Sequence, residues 1–346
     1  MEGTSTDSAC TEKRGSSSRD LPRRTQRSTF PTRPRGDCGG SPVEKEKHSL
    51  YYSPDYCRQE YSFDTTRKAR WIADSLDRNP IDKIRLIAPP PLSLADLRLT
   101  HSDAYISAIA TGEPEALAAA AGVGWCENTL TAGLSVCGGV VAACRDAVAC
   151  GGVAGSLSSG LHHAKRDRGD GFCTFNGLAI AARDAVARGL SRVLILDLDA
   201  HCGGGTASLI DGEVRITQLD ISVDSFDCYR STAQATCVLV GAAGEYLSTL
   251  DRELDRVGRE WDLVIYNAGM DVHERDCGPA GIDSTLIACR EVTVFEYFPQ
   301  VPIAYVMAGG YSRGPGGIAD LVSLHRSTLR AAASVPRGLS HPLPGV

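Results

Sequence analysis

Hydrophobic positions recur along the chain with two different spacings. Short apolar runs rich in aliphatic residues predict strands buried on both faces near residues 81–88, 153–157, 192–198, 214–220, 262–267 and 302–308. Segments with helical spacing predict helices at 93–97, 103–111, 132–149, 176–189, 246–260, 284–297 and 315–333. This alternation predicts an α/β fold, a single domain in which a mostly parallel β-sheet is sandwiched by helices.

The first 47 residues differ from the rest in composition. They are rich in Ser, Thr, Arg, Pro and Gly, and their few apolar residues are too scattered to form a core. We therefore predict a disordered N-terminal tail over 1–47, a folded domain over 48–335 and a C-terminal tail over 336–346.

Charge and cysteine usage narrow the class of protein. The formal net charge of −6 argues against a direct nucleic-acid binder, and no apolar run approaches the ~20 residues of a membrane span. The 13 cysteines include no Cys-x-x-Cys pair, which argues against a zinc ribbon. We expect reduced thiols and an intracellular location, either cytoplasmic or nuclear, without a membrane partner.

Candidate metal ligands follow two of the predicted strands. Asp197, Asp199 and His201 end one strand with a spacing of two, and Asp271 follows the strand predicted at 262–267. Ligands gather at the carboxyl ends of parallel strands, and buried carboxylates need a neutralising partner. Such acids can also cap a helix or a turn. The second acidic strand end favours Zn²⁺ or a related divalent ion.

Two further motifs supply chemistry for hydrolysis. The adjacent His162 and His163 lie in a Gly/Ser-rich loop, where neutral imidazole is a natural general base. Tyr311 follows two glycines after another predicted strand and could donate a hydrogen bond to an oxyanion. A cysteine nucleophile, Cys173 or Cys202, is the rival mechanism.

These motifs resemble the zinc-dependent histone deacetylase family of the arginase–deacetylase superfamily, and within it most closely the class IV branch. The resemblance covers about residues 48–335 and implies a deacetylase-like catalytic domain with the arginase–deacetylase fold. It is carried by His162-His163-Ala164, the Asp167 to Cys173 run, Asp197 to His201, Asn267 to Asp271 and Gly309-Gly310-Tyr311.

The resemblance implies a role for each candidate residue. Asp199, His201 and Asp271 match the zinc ligands, and Asp197 matches an aspartate that also helps to bind a monovalent cation such as K⁺. The catalytic matches are His163 as general base, His162 as its electrostatic partner and Tyr311 as the residue that polarises the amide carbonyl. The implied walls of the substrate tunnel are Gly171, Phe172 and Cys173.

The chain departs from the family pattern beside the metal ligands. Cys202 stands where the family has His or Gln, and Gly204 stands where an Asp or Asn orients the general base. Loss of such a partner typically costs about 10–100-fold in activity, unless another group holds His163. Without a replacement, Gly204→Asp is expected to raise activity, provided that Gly204 does not have a positive φ.

Two other sequence features bear on the substrate and the metal. Residues 158–161, Ser-Ser-Gly-Leu, replace the Arg-Pro-Pro-Gly of many relatives, which favours a roomier or more apolar acyl pocket. The second aspartate of the arginase-type Asp-x-His-x-Asp motif is absent, so a binuclear manganese site is not expected.

We therefore expect zinc-dependent hydrolysis of acyl-lysine, with an acetyl or longer acyl group, in a protein or peptide substrate. Two alternatives stay open at this point. One is deacetylation of a small amine such as an acetylpolyamine. The other is a catalytically weak protein that binds acyl-lysine.

Overall fold

The chain is described by a computed structural model over residues 47–59 and 64–336. Apart from Lys47 and Pro336, the predicted terminal tails lie outside these described residues. The strands of the described part are β1 (His48–Tyr51), β2 (Ile84–Ile87), β3 (Val153–Ser156), β4 (Val193–Asp197), β5 (Ile216–Ser222), β6 (Ala235–Leu239), β7 (Leu263–Asn267) and β8 (Ile303–Val306).

The helices come between these strands along the chain. They are α1 (Lys68–Arg78), α2 (Leu94–Leu97), α3 (Asp103–Thr111), α4 (Glu115–Ala118), α5 (Thr129–Cys150), α6 (Gly177–Ala187), α7 (Gly204–Ile210), α8 (Ala243–Val257), α9 (Ser284–Tyr297) and α10 (Ile318–Ser334). Two 3₁₀ helices span Pro54–Cys57 and Asp64–Thr66.

The eight described strands form one sheet in the order β2-β1-β3-β8-β7-β4-β5-β6, and every neighbouring pair is parallel. Its two faces bury separate cores. Leu194 and Leu196 of β4 pack on the side of α1, α8, α9 and α10, whereas Val193 and Ile195 pack on the side of α3, α5, α6 and α7. The predicted α/β fold with a helix-covered parallel sheet is confirmed.

Helix α5 is the one described helix that is long and apolar enough, by length and composition, to cross a membrane. A central helix of a folded core has the same properties. Here Cys137, Val140 and Ala147 of α5 are fully buried, and they belong to the core that α5 shares with α6 and the sheet.

The sequence pattern missed elements whose stability depends on their neighbours. β1 is four residues long and pairs with both β2 and β3, and β6 is the edge strand beside β5. Helix α7 begins at Gly204, where the sequence pattern predicted no helix. Such short elements are stabilised by tertiary pairing rather than by local periodicity.

The sheet order brings the candidate residues together. β3, β8, β7 and β4 are consecutive in the sheet, and the segments that follow them carry the histidine pair, the Tyr311 segment and the candidate metal ligands. Because the strands are parallel, all four carboxyl ends meet at one edge.

Candidate active site

Asp199, His201 and Asp271 converge at this edge. Asp199 and His201 follow β4, and Asp271 follows β7, the neighbouring strand in which Asn267 pairs with Asp197. One ligand atom from each of the three residues lies within 4.8 Å of the others. His201 Nδ1 is 3.2 Å from Asp199 Oδ1 and 3.3 Å from Asp271 Oδ2.

The backbone and the electrostatics of this group suit a divalent cation. The Gly309 N–H donates to Asp199 Oδ2 at 2.7 Å, and the Ala200 N–H donates to Asp271 Oδ1 at 3.0 Å. Burial raises the pKa of Asp271, and repulsion from Asp199 adds to this shift. Two buried carboxylates and one imidazole nitrogen, with room for a further ligand, fit Zn²⁺ or a related ion.

His162 is held by Asp197. His162 Nδ1 lies 2.8 Å from Asp197 Oδ2, and the other Asp197 oxygen accepts a hydrogen bond from Asn267 Nδ2 at 2.8 Å. Burial lowers the pKa of His162, but the Asp197 and Asp199 carboxylates outweigh it and raise this pKa to about 10. The two carboxylates thus favour the protonated form of His162. The expected monovalent cation at Asp197 stays a prediction.

His163 has a different partner and the opposite shift. Its Nδ1 lies 3.1 Å from Asp227 Oδ2, and its ring lies against that of His162 with a centroid distance of 3.9 Å. Burial, and then the positive charge of His162, lower the pKa of His163 to about 4, against the raising effect of Asp227. His163 is therefore neutral at pH 7 and can accept a proton.

Asp227 occupies the space that the absent side chain of Gly204 leaves. A Cβ at Gly204 would lie 2.6 Å from Asp227 Oδ1 and would overlap the Asp227 carbonyl oxygen. Asp227 has a φ of 56° and accepts hydrogen bonds from the Gly205 N–H at 2.9 Å and from Lys165 Nζ at 3.0 Å. The sequence left open whether another group holds His163 in place of a side chain at position 204, and Asp227 is such a group. That partner comes from the loop after β5.

Sequence reasoning did not include Asp227 among the site residues. The available signal was an aspartate a few residues beyond the end of the strand predicted at 214–220. That strand proves to be β5, which neighbours β4 in the sheet.

Two phenylalanines lie close to the histidine pair. Phe172 lines the same pocket as His162, His163 and Tyr311. Phe226, which the sequence analysis did not propose, is 46% exposed and packs edge-on against His163 at a centroid distance of 4.9 Å. Both rings offer apolar surface near the candidate metal ligands.

The other expected tunnel residues lie in the same pocket. Gly171 has a φ of 49°, and a Cβ there would overlap the His163 ring. Cys173 is buried, and burial raises the pKa of its thiol. A protonated buried thiol is a poor nucleophile, which weakens the rival mechanism.

Tyr311 lies across this pocket from the histidines. Its backbone N–H donates to Asp276 Oδ2 at 2.6 Å, which fixes the segment after Gly309-Gly310. Burial raises the pKa of the Tyr311 phenol well above its ordinary value, and the Asp271 carboxylate adds to the shift. The hydroxyl thus stays protonated and available as a hydrogen-bond donor.

Arg290 is a second residue that sequence reasoning missed. It is fully buried in α9, where Nη1 donates to the carbonyl oxygens of Gly269 at 2.8 Å and Leu198 at 3.1 Å. These two carbonyls belong to the segments that carry Asp271 and Asp199. Arg290 therefore links the two segments that carry the candidate metal ligands.

The segment that replaces the family's Arg-Pro-Pro-Gly borders a second cavity. Ser159, Leu161 and Phe172 line both this cavity and the active-site pocket. The lining of the second cavity is mixed: Ala69, Val136 and Leu157 are apolar, whereas Gln59 contributes an amide and several Ser, Thr and Tyr residues contribute hydroxyls.

Comparison with known proteins identifies the family. The histone deacetylase domain matches residues 62–325. An uncharacterized protein of Picosynechococcus sp. is 30% identical over 300 residues, or 83% of this chain and 98% of that protein. Histone deacetylase 2 of Arabidopsis thaliana is 29% identical over 297 residues, or 78% of this chain and 76% of that protein.

A solved structure shows the same fold. The crystal structure of acetylpolyamine aminohydrolase from Burkholderia pseudomallei superimposes with a TM-score of 0.68 at 19% identity, over 84% of this chain and 99% of that chain. The fold and the family match define a hydrolase of the deacetylase type. The chain belongs to the histone deacetylase family, as its motifs predicted. Its assignment to the class IV branch stays a prediction.

Proposed function

We propose that the chain is a zinc-dependent amidohydrolase that removes an acyl group from lysine side chains of proteins or peptides. One observation carries the proposal: Asp199, His201 and Asp271 converge in a pocket that is also lined by His163 and Tyr311. This arrangement contains a metal-ligand set, a neutral base and a hydroxyl donor, which are the groups that amide hydrolysis needs.

Each of these residues has a separate role in the proposed hydrolysis. A bound Zn²⁺ would polarise the amide carbonyl and lower the pKa of water. His163, kept neutral by its burial and by the charge of His162, accepts the proton of the attacking water and then gives it to the leaving amine. Tyr311 donates a hydrogen bond to the carbonyl oxygen as negative charge develops there.

The pocket favours a lysine side chain over a more polar substrate. Phe172 lines the pocket and Phe226 packs against His163, and aromatic surface suits the methylenes of lysine. The second cavity shares Ser159 and Leu161 with the active-site pocket, so it is the candidate space for an acyl group longer than acetyl. Its lining is mixed polar and apolar, and a roomier acyl pocket stays a prediction.

A substrate panel tests the proposal. Purified chain, with and without added Zn²⁺, would be assayed on lysine peptides that carry acyl groups of increasing length, with acetylspermidine in parallel. Metal-dependent turnover of the peptides is expected. Turnover of acetylspermidine alone would favour the small-amine alternative. That alternative is motivated by the fold shared with the acetylpolyamine aminohydrolase of Burkholderia pseudomallei. Peptide binding without turnover would indicate a catalytically weak binder.

A further inference from the structure

Three cysteines meet beside the active site. Cys202 follows His201 directly, Cys228 follows Asp227 directly, and Cys237 lies in β6. Cys202 and Cys237 have sulfurs 3.3 Å apart, and Cys228 and Cys237 have sulfurs 4.0 Å apart. All three sulfurs lie within 4.8 Å of one another. We call this group the thiol cluster.

These separations match the spacing of thiolates around one metal ion. A Zn–S bond of about 2.3 Å and tetrahedral angles place sulfurs about 3.8 Å apart. A disulfide needs sulfurs about 2.0 Å apart and uses only two of the three thiols. The cluster thus has both the number and the spacing of a three-thiolate metal site.

The chain holds the thiol cluster in place through its backbone. The Cys202 N–H donates to the Phe226 carbonyl oxygen at 3.0 Å, and the Cys237 N–H donates to Ser231 Oγ at 3.1 Å. Cys237 is also in register with Asp220 of β5, so the strand pairing sets its position. The cluster is preformed by the same loop that carries Asp227.

The solvent exposure of the three cysteines increases from one side of the cluster to the other, so a metal ion could reach the cluster from solvent. Cys202 is buried, Cys237 is half-buried and Cys228 is exposed. An ion can enter from the Cys228 side, where water can complete a tetrahedral coordination. Soft thiolates select thiophilic ions over Mg²⁺ or Ca²⁺.

We propose that Cys202, Cys228 and Cys237 form a second metal site, which binds a thiophilic d¹⁰ cation such as Zn²⁺ through three thiolates. Each thiol loses its proton to solvent as the ion binds. The ion joins β6 to the segments that follow His201 and Asp227. It therefore fastens the loop that holds Asp227 against His163.

Cobalt substitution separates this site from the catalytic one. The catalytic ligands Asp199, His201 and Asp271 contain no sulfur, so thiolate-to-cobalt charge-transfer absorption reports the thiol cluster alone. The full chain would be reduced, freed of metal, loaded with Co²⁺ and measured by absorption spectroscopy. Strong charge-transfer absorption is expected in the unmodified protein. It should persist in Asp271→Ala and disappear in Cys228→Ser and Cys237→Ser.

Metal content provides a second measurement that is independent of activity. Zinc-loaded protein should contain one more equivalent of zinc than Cys228→Ser, whose exposed position tolerates the change without loss of fold. Cys289→Ser, at an exposed cysteine outside the cluster, and Cys277→Ser, at a cysteine near His201, are the controls and should keep the absorption. Thermal unfolding would verify that each variant is folded.

Three results would overturn the proposal. The first is a reduced wild-type protein without thiolate-to-cobalt absorption. The second is absorption that survives both Cys228→Ser and Cys237→Ser. The third is a Cys202–Cys237 disulfide that forms instead of a metal complex. It would be detected by intact mass when the reductant is removed in the presence of Zn²⁺. None of these results depends on deacylase turnover.

Discussion

His163 Nδ1 lies 3.1 Å from Asp227 Oδ2, although the two residues are 64 positions apart in the chain. The carboxylate that orients the candidate base therefore comes from the loop after β5, and Gly204 leaves room for it. A second hydrogen bond, from Lys165 Nζ to Asp227 Oδ1 at 3.0 Å, holds the carboxylate from its other side.

Replacement of Asp227 is expected to impair catalysis without loss of metal. Asp227→Ala removes the acceptor and the charge beside His163, and loss of such an orienting partner typically costs about 10–100-fold in activity. Asp227→Asn keeps an acceptor oxygen and should lose less. The measurement is kcat/KM on an acyl-lysine peptide together with zinc content. Asp251→Asn, at an exposed aspartate of α8, is the control. Full activity in Asp227→Ala would show that Asp227 does not position the base.

Gly204→Asp is expected to lower stability and activity. Gly204 is outside the left-handed region, so the cause is crowding, because a Cβ would overlap Asp227. The sequence predicted a gain of activity only if no other group holds His163, and Asp227 already lies in that position. Such overpacking typically costs about 1–3 kcal/mol in unfolding free energy, which a thermal melt would detect. Gly241→Asp is the matched control, since no atom lies within 4 Å of a Cβ there. A melting temperature equal to that of the control would contradict the crowding.

Asp271→Ala should remove both the catalytic metal and activity, because only Asp199 and His201 would be left to hold the ion. Chelation of the unmodified protein should likewise abolish turnover, and it should lower the melting temperature, since an ion that binds the folded state stabilises it. Elemental analysis and the peptide assay are the measurements. Asp211→Ala, at an exposed aspartate after α7, should keep both metal and activity. Undiminished metal-dependent turnover in Asp271→Ala would refute this assignment.

Tyr311→Phe should keep the fold and the metal while turnover falls by about 10²–10³-fold, the usual cost of one oxyanion donor. The substitution deletes only the hydroxyl, because the backbone of Tyr311 is held separately by its hydrogen bond to Asp276. Zinc content and thermal unfolding serve as readouts of intact structure. Tyr297→Phe is a control in α9. Near-normal turnover would move the oxyanion role to a backbone donor.

The acidic limb of the pH profile should lie well below the ordinary pKa of histidine, about 6.5. His163 acts as a base only when neutral, and its pKa is lowered to about 4, so kcat/KM should fall only as the pH approaches that value. Asp227→Asn removes a carboxylate that raises this pKa. The limb of that variant should therefore move to still lower pH. A shift towards higher pH would show that another group controls the limb.

Much of the fold and the site could be predicted from sequence because the signals are local. The apolar run Val193 to Leu196 predicts a strand buried on both faces, and Asp197, Asp199 and His201 follow it directly. The parallel sheet then implies that Asp271, at the end of another strand, lies at the same edge. The structure brings these residues together, and the family match agrees with the motifs that predicted it.

Tertiary structure alone decided which groups surround those residues. Asp227 and Arg290 reach the site from a loop and a helix that no periodicity connects to His163 or Asp271. The thiol cluster likewise depends on the pairing of β6 with β5, which the sequence pattern did not predict. Local patterns determine where a strand ends and which residues stand there. Contacts between distant segments depend on strand order and loop conformation, and only the folded chain determines these.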